Sequence, residues 1–235
     1  MRTKRLFVMA YAITLGMLAK AQYEVGDIYD KGGLKGIVVR VDDSGNHGLI
    51  MSVDRCSKKW LNDSDAKYET AAFYEDDGEK NMKVIEKYLE ESGNSWEIFP
   101  FFNWCRSLGD GWYAPASDEL KDILLLINGG EGVYNEKNMK TITKTLKKAK
   151  GDGLVDKGMY GTYCPYSMLS STETDGGEIY ALHFLESKSS SVSRMLGGSL
   201  KAKGEFKVLP LSKSKKGKYT VMGLTKLGSR AVHKF

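Results

Sequence analysis

The residues that could carry chemistry in this sequence are few and widely spaced. There are three histidines, His47, His183 and His233, and three cysteines, Cys56, Cys105 and Cys164, in 235 residues. A structural zinc site takes its ligands in close pairs such as Cys-x-x-Cys, and none of these six residues is so paired. There is no Gly-x-Ser-x-Gly elbow to expose a nucleophile, no His-Glu-x-x-His helix to hold a metal, and no phosphate-cradling glycine loop. No residue is assigned to catalysis, no cofactor is expected, and the chain reads as a non-enzyme. Glu173, Asp175 and Glu178 cluster in a glycine-containing loop, a set of oxygens of the kind calcium takes. Tyr160, Tyr163 and Tyr166 stand just before that loop, and tyrosine both stacks on sugars and hydrogen-bonds them.

The cysteines leave two readings open. In an oxidising compartment one disulfide forms among the three, by any of three pairings, and one thiol is left. Alternatively all three stay reduced and pack as small hydrophobes.

The N-terminus bears on that choice. Arg2, Lys4 and Arg5 precede an apolar run from Leu6 to Ala19, and Ala19-Lys20-Ala21 comes next with the small-x-small spacing that signal peptidase accepts. The run is shorter than the about 20 residues a bilayer-spanning helix needs. Residues 1–21 are therefore expected to be a signal peptide and 22–235 a single exported domain, whether periplasmic, surface-bound or secreted. No later segment is apolar enough to span a membrane. The formal charge of +5, from 35 Lys and Arg against 30 Asp and Glu, falls largely on the signal, where Arg2, Lys4, Arg5 and Lys20 meet no acid. The remainder of the chain is near neutral, so nucleic acid is not expected as a partner.

The elements that must position these residues are legible from periodicity. Gly36–Val41 and His47–Val53 read as strands joined by the turn residues Asp42-Asp-Ser-Gly-Asn46. Residues 79–92 place Met82, Ile85 and Leu89 at helical spacing and stop at Gly93. Further helices are expected over 101–108, from an N-cap at Ser117 with Leu120, Ile123, Leu124 and Ile127 inward, and over 136–149 with Met139, Ile142 and Leu146 inward. The outer face of this last helix carries Lys137, Lys140, Lys144, Lys147 and Lys148 and reads as a solvated face. Beyond Gly158 the period becomes extended, with strands at 179–185, 205–209, 219–222 and 230–235. Strands, then helices, then strands describe an α+β domain.

Three segments carry a resemblance. Trp112-Tyr-Ala-Pro115, with Glu119 and Leu120, is followed by Ser170-Ser-Thr-Glu173 and finally by Arg230-Ala-Val-His-Lys-Phe235. In order and spacing they resemble the bacterial Lcl C-terminal-like domain, a branch of the C-type-lectin-like superfamily distantly related to formylglycine-generating enzymes. That family shows Gly-Trp-x-Leu-Pro-[Ser/Thr]-x-x-Glu-Leu, Trp-Ser-Ser-Thr-Glu and Val-Arg-Ala-Val-Arg-x-Phe. Here Ala114, Leu169 and His233 replace the family's leucine, tryptophan and arginine. The resemblance implies a C-type-lectin-like fold with paired terminal strands, helices in the middle and an antiparallel sheet region. It also implies a binding module displayed outside the cell, with a glycan or extracellular protein as partner. The Trp-Asn-Asp and Glu-Pro-Asn signatures of calcium-dependent lectins are missing, so no metal site is assigned. The formylglycine-making relatives rely on a late cysteine pair, and no cysteine lies beyond Cys164.

The expected function is non-catalytic recognition or surface assembly. The alternatives are a structural or tip subunit of a surface filament, and a degenerate hydrolase or sulfatase-modifying enzyme. Trp112 and Leu120 are expected in the core, and Tyr160, Tyr163, Tyr166 and Glu173 are the expected ligand contacts. The sequence leaves oligomeric state open. N-terminal sequencing of protein from the native host should read from Gln22; a mature chain that keeps Met1 contradicts the signal peptide.

Overall fold

The hairpin forms where alternation and turn chemistry coincide. In the computed structural model, which describes residues 23–62, 69–128, 132–133, 135–154, 156–158, 161–163, 166–186, 204–211 and 226–235, β1 is Ile28–Lys31, β2 is Leu34–Val41 and β3 is Gly48–Ser52. Ile37, Val38, Leu49, Ile50 and Met51 are fully buried. The turn closes because Asp42 Oδ1 accepts from the Ser44 N–H and hydroxyl at 3.1 and 2.7 Å, while the Asp42 N–H donates to the His47 carbonyl at 2.9 Å. The expected signal peptide, residues 1–21, lies outside the described residues.

The last strand, β11 (Val232–Lys234), joins this sheet, which is antiparallel in the order β1-β2-β3-β11. Paired terminal strands would put β11 on the segment near Val25–Tyr29 or on Gly36–Val41. The structure corrects this: Val232 stands opposite Met51 and Lys234 opposite Leu49, on β3. A strand has two edges, and both edges of β2 are taken by β1 and β3. The first and last strands thus share a sheet without pairing. They meet through rings, with Phe235 at 4.6 Å from Tyr29 and 5.6 Å from Tyr23.

The four helices match their apolar spacing. α1 (Gly78–Ser92) is capped by Asp77, which accepts from the Lys80 N–H, and it ends at Gly93 with φ +67°. A 3-10 turn at Trp96–Ile98 leads into α2 (Pro100–Ser107), with proline in the first turn, where its missing N–H has no helical partner to lose. α3 (Ser117–Asn128) buries Leu120, Ile123, Leu124 and Ile127. Ser117 opens this helix instead of capping it, and its N–H donates to Thr172 Oγ1 at 3.0 Å. α4 (Glu136–Lys148) is capped by Asn135 and buries Met139, Ile142 and Leu146, leaving its lysines exposed.

The second sheet has the order β10-β7-β8-β9-β4, made of β4 (Gly132–Val133), β7 (Tyr166–Glu173), β8 (Ile179–Glu186), β9 (Gly204–Leu211) and β10 (Lys226–Leu227). It is antiparallel except where β10 runs alongside β7. β5 (Asp156–Gly158) and β6 (Gly161–Tyr163) form a small separate ribbon. The strand expected at 219–222 lies outside the described residues. β7 occupies a stretch that reads as loop, because its polar half, Ser170 to Glu173, is buried. The protein is thus α+β, and its described residues form four helices and two largely antiparallel sheets beside the small ribbon. Among the described residues no helix is long and apolar enough to cross a membrane.

Ending the chain at Gly228 removes β11, its ladder on β3 and Arg230. The β3 edge would then expose unpaired backbone groups. The truncated protein should show no cooperative thermal transition by circular dichroism; a melt like that of the full chain contradicts the role given to β11.

Candidate functional site

The Ser-Ser-Thr-Glu run is a buried polar seam. Ser170, Ser171, Thr172 and Glu173 are 0 to 3% exposed. A buried hydroxyl is tolerated only when hydrogen-bonded, and these are. The Ser171 hydroxyl donates to the Pro115 carbonyl at 3.2 Å, and Thr172 Oγ1 donates to the Tyr74 carbonyl at 2.8 Å. Asn81, fully buried on α1, exchanges bonds with the Tyr74 backbone at 2.9 and 2.7 Å and donates to Ser171 at 3.2 Å. The seam fastens β7 to the approaches of α1 and α3.

Glu119 joins the same two helices a few residues away. It is fully buried, and its Oε2 accepts from the Ala116 N–H at 2.7 Å and the Gly78 N–H at 3.3 Å. Its Oε1 accepts from the Tyr113 hydroxyl at 2.7 Å. Burial, outweighing these donors, pushes the Glu119 carboxyl above its ordinary value. Burial and the neighbouring Glu119 charge likewise push the Tyr113 phenol up. Tyr113 pairs through its backbone with Val232 of β11, at 3.0 and 2.9 Å. Residue 78 must be glycine: a Cβ there would lie 2.4 Å from the Ala114 carbonyl and 2.8 Å from Glu119 Oε2.

Arg230 is 1% exposed and acts as a third joint. Its guanidinium donates to the carbonyls of Ser52 and Val53 at 2.8 and 2.7 Å and of Asp152 at 2.7 Å. These bonds tie the exit of β3 to the segment after α4.

Beside these joints lies an open cleft of about 460 Å³. One face of α1, at helical spacing, supplies Glu79, Met82, Lys83 and Glu86; α2 supplies Asn103 and Arg106; Trp96 and the turn from Gly109 to Tyr113 complete it. The Arg106 guanidinium lies 4.3 Å over the partly buried Trp96 ring and 3.5 Å from Glu86. Glu79 receives Lys83 at 2.8 Å and Lys234 at 3.2 Å, and these two bonds, Lys83's first, hold its carboxyl below the ordinary value. Trp112, 8% exposed, packs edge-on against His233 at 5.4 Å. Gly111, at φ +79°, admits that histidine, since a Cβ there would lie 2.4 Å from His233 Nε2. The cleft offers a partly buried tryptophan beside charges of both signs, of which Glu79, Lys83, Glu86 and Arg106 are already paired. That composition suits a ligand that stacks and trades hydrogen bonds.

None of the ligand contacts expected from sequence is among the residues that line this cleft. Glu173 is buried, and both its carboxylate oxygens accept from Thr70, from the N–H and from the hydroxyl, each at 2.9 Å. It is a joint inside the fold and not an acceptor offered to a ligand. Tyr160 lies outside the described residues, and Tyr163 in β6 and Tyr166 at the head of β7 are described through their backbone alone. Glu173 is also unavailable to the acidic cluster with Asp175 and Glu178, and among the described residues no group of three His, Cys, Asp or Glu is placed to hold a metal ion. Trp112 is in the core, as its motif implied, yet its remaining edge faces the cleft. Sequence reasoning did not pick out Glu79, Glu86, Trp96 and Arg106. The signal was there in the polar 79–83–86 face of α1 and in a tryptophan set within Gly93-Asn-Ser-Trp-Glu97. No family model, curated protein or solved structure matches the chain.

Glu119→Ala orphans two buried N–H donors and should cost about 1–3 kcal/mol for each. Glu119→Gln keeps an acceptor of the same shape and should cost far less. The pH dependence is distinct. A carboxyl raised by folding contributes stability that is present below its unfolded value, about 4.3, and is lost as pH rises through the folded value. The wild type should therefore lose stability relative to Glu119→Gln as pH rises above 4. Parallel denaturant midpoints for the two proteins across pH 4–8 would contradict the assignment.

Proposed function

We propose that the chain is an exported, non-catalytic recognition module of C-type-lectin-like build, and that it binds a glycan or a segment of an extracellular protein in the cleft between α1 and α2. The observation that carries this is the partly buried Trp96 beneath Arg106, in a concave surface where Glu79, Lys83, Glu86 and Arg106 are held in pairs. Aromatic faces bind sugar rings and side chains alike, and paired charges around them offer hydrogen bonds without requiring a charged ligand. The motif residues that resemble the family's are occupied inside the fold: Glu119, Glu173 and Arg230 each bond to backbone groups. This fits a scaffold that presents a separate cleft.

The filament reading keeps one observation of its own. Phe73 and Tyr74 are 47 and 46% exposed on a segment held on either side, at Thr70 by Glu173 and at Tyr74 by Asn81. A fixed, exposed aromatic pair of this kind suits contact with another subunit.

An array of glycans and extracellular-matrix peptides, probed with wild type and Trp96→Ala, tests the cleft. Loss of the stacking face should weaken binding of the captured ligand roughly tenfold, about 1.4 kcal/mol, with the melting curve unchanged. A ligand held equally by Trp96→Ala and Glu86→Gln, but lost on joint replacement of Tyr160, Tyr163 and Tyr166 by alanine, would move the site to the tyrosine segment.

A further inference from the structure

The segment after β3 lies along α2 and runs against it. The Asn62 N–H donates to the Ile98 carbonyl at 2.9 Å, and the Lys59 carbonyl accepts from the Phe101 N–H at 3.1 Å. Between them Trp60 packs its ring edge-on against Phe99 at 5.1 Å and Phe102 at 5.8 Å. Three residues before Lys59 on this segment stands Cys56. One helical turn after Phe101, on the same face of α2, stands Cys105. The antiparallel run therefore brings Cys56 and Cys105 toward each other, and both are free thiols buried in one core, at 4 and 0% exposure. Cys56 is pinned from its other side by backbone bonds with Ser229 at 2.7 and 2.9 Å. Burial, and then the charge of Cys56, hold the Cys105 thiol well above its ordinary value.

We infer that Cys56 and Cys105 form the disulfide of this protein when it folds in an oxidising compartment, leaving Cys164 as the single thiol. The inference rests on the exported reading only for the source of oxidant; the pairing rests on the fold. A disulfide donor supplies the chemistry. The Cys56 thiolate attacks one donor sulfur and expels the other as a thiolate. The Cys105 thiolate then attacks the Cys56 sulfur of the mixed disulfide and expels the second donor thiolate. One S–S bond forms, the donor disulfide is reduced by two electrons, and the two cysteine protons end on the donor thiols. Burial also raises the Cys56 thiol, so both groups hold their protons once the core has closed. The bond therefore forms during folding. It fastens α2 one residue before Arg106, which covers Trp96 in the cleft.

The test uses the full chain, reduced and denatured, then refolded in a mixture of reduced and oxidised glutathione. Alkylation with iodoacetamide under denaturing conditions and peptide mass spectrometry should find the Cys56 peptide linked to the Cys105 peptide, with Cys164 alkylated. The reduced protein, once folded, should oxidise at pH 7 at least tenfold more slowly than it does during refolding. A Cys164→Ser variant, which keeps only the proposed pair, should melt several degrees lower in dithiothreitol than without it. A link through Cys164, three alkylated cysteines, or a Cys164→Ser melt indifferent to dithiothreitol would each overturn the pairing. Glutathione stands in for the compartment, so failure of the pairing and failure of the export reading are separate results.

Discussion

Glu119 sits where the starts of two helices converge, and its carboxylate is the shared acceptor for the backbone of Gly78, the backbone of Ala116 and the hydroxyl of Tyr113. Helix N-termini leave N–H groups unpaired and carry positive partial charge, so two of them brought together in a core need an anion or its equivalent. A single side chain meets that need at 0% exposure, and the price is an elevated carboxyl. Because α1 walls the cleft and Tyr113 bridges to β11, the position of the cleft relative to the first sheet is set through this one group. The glycine at 78 is part of the same arrangement, since only a residue without Cβ lets the two helix starts approach so closely.

Polar atoms are used the same way elsewhere in the core. Three helix and loop approaches meet β7, and the contact is made by serine and threonine hydroxyls bonded to carbonyls, where leucine would leave those carbonyls orphaned. Arg230 does the equivalent at the other end, gathering three carbonyls from the end of β3, the residue after it and the segment past α4. Such joints are directional in a way apolar contacts are not, so they fix the relative placement of segments far apart in sequence. The apolar core supplies the bulk of the burial around them, through Trp60, Phe99, Phe101 and Phe102.

Apolar periodicity made the four helices and the first hairpin readable, because Met82, Ile85 and Leu89 or Ile37, Val38 and Ile50 signal an inward face without reference to any partner. β7 was not readable, since Ser-Ser-Thr-Glu has the composition of a loop and becomes buried only because Pro115, Tyr74 and Thr70 arrive to bond it. The same blindness affected Glu173: an acid near tyrosines looks like a ligand contact until its acceptors are found filled. The partner of β11 was misjudged because pairing depends on which strand edge is free, a property of the assembled sheet. The cleft residues were hidden for a different reason. Glu79, Glu86, Trp96 and Arg106 look like an ordinary solvated surface one by one, and only the packing of α1 beside α2 makes them concave.

The ring contacts among Tyr23, Tyr29 and Phe235 give the domain an uncommon mechanical geometry. Tyr23 and Phe235 meet at one corner, so a pull applied at these two residues loads that corner and not the length of the molecule. Phe235 exchanges two backbone bonds with Gly48, and β11 is an edge strand. Tension would break those bonds one after another, as a strip is peeled, where strands pulled in opposite directions would resist with the whole ladder at once. Behind the peeling end, Tyr113 holds Val232 by two backbone bonds and Arg230 gathers three carbonyls.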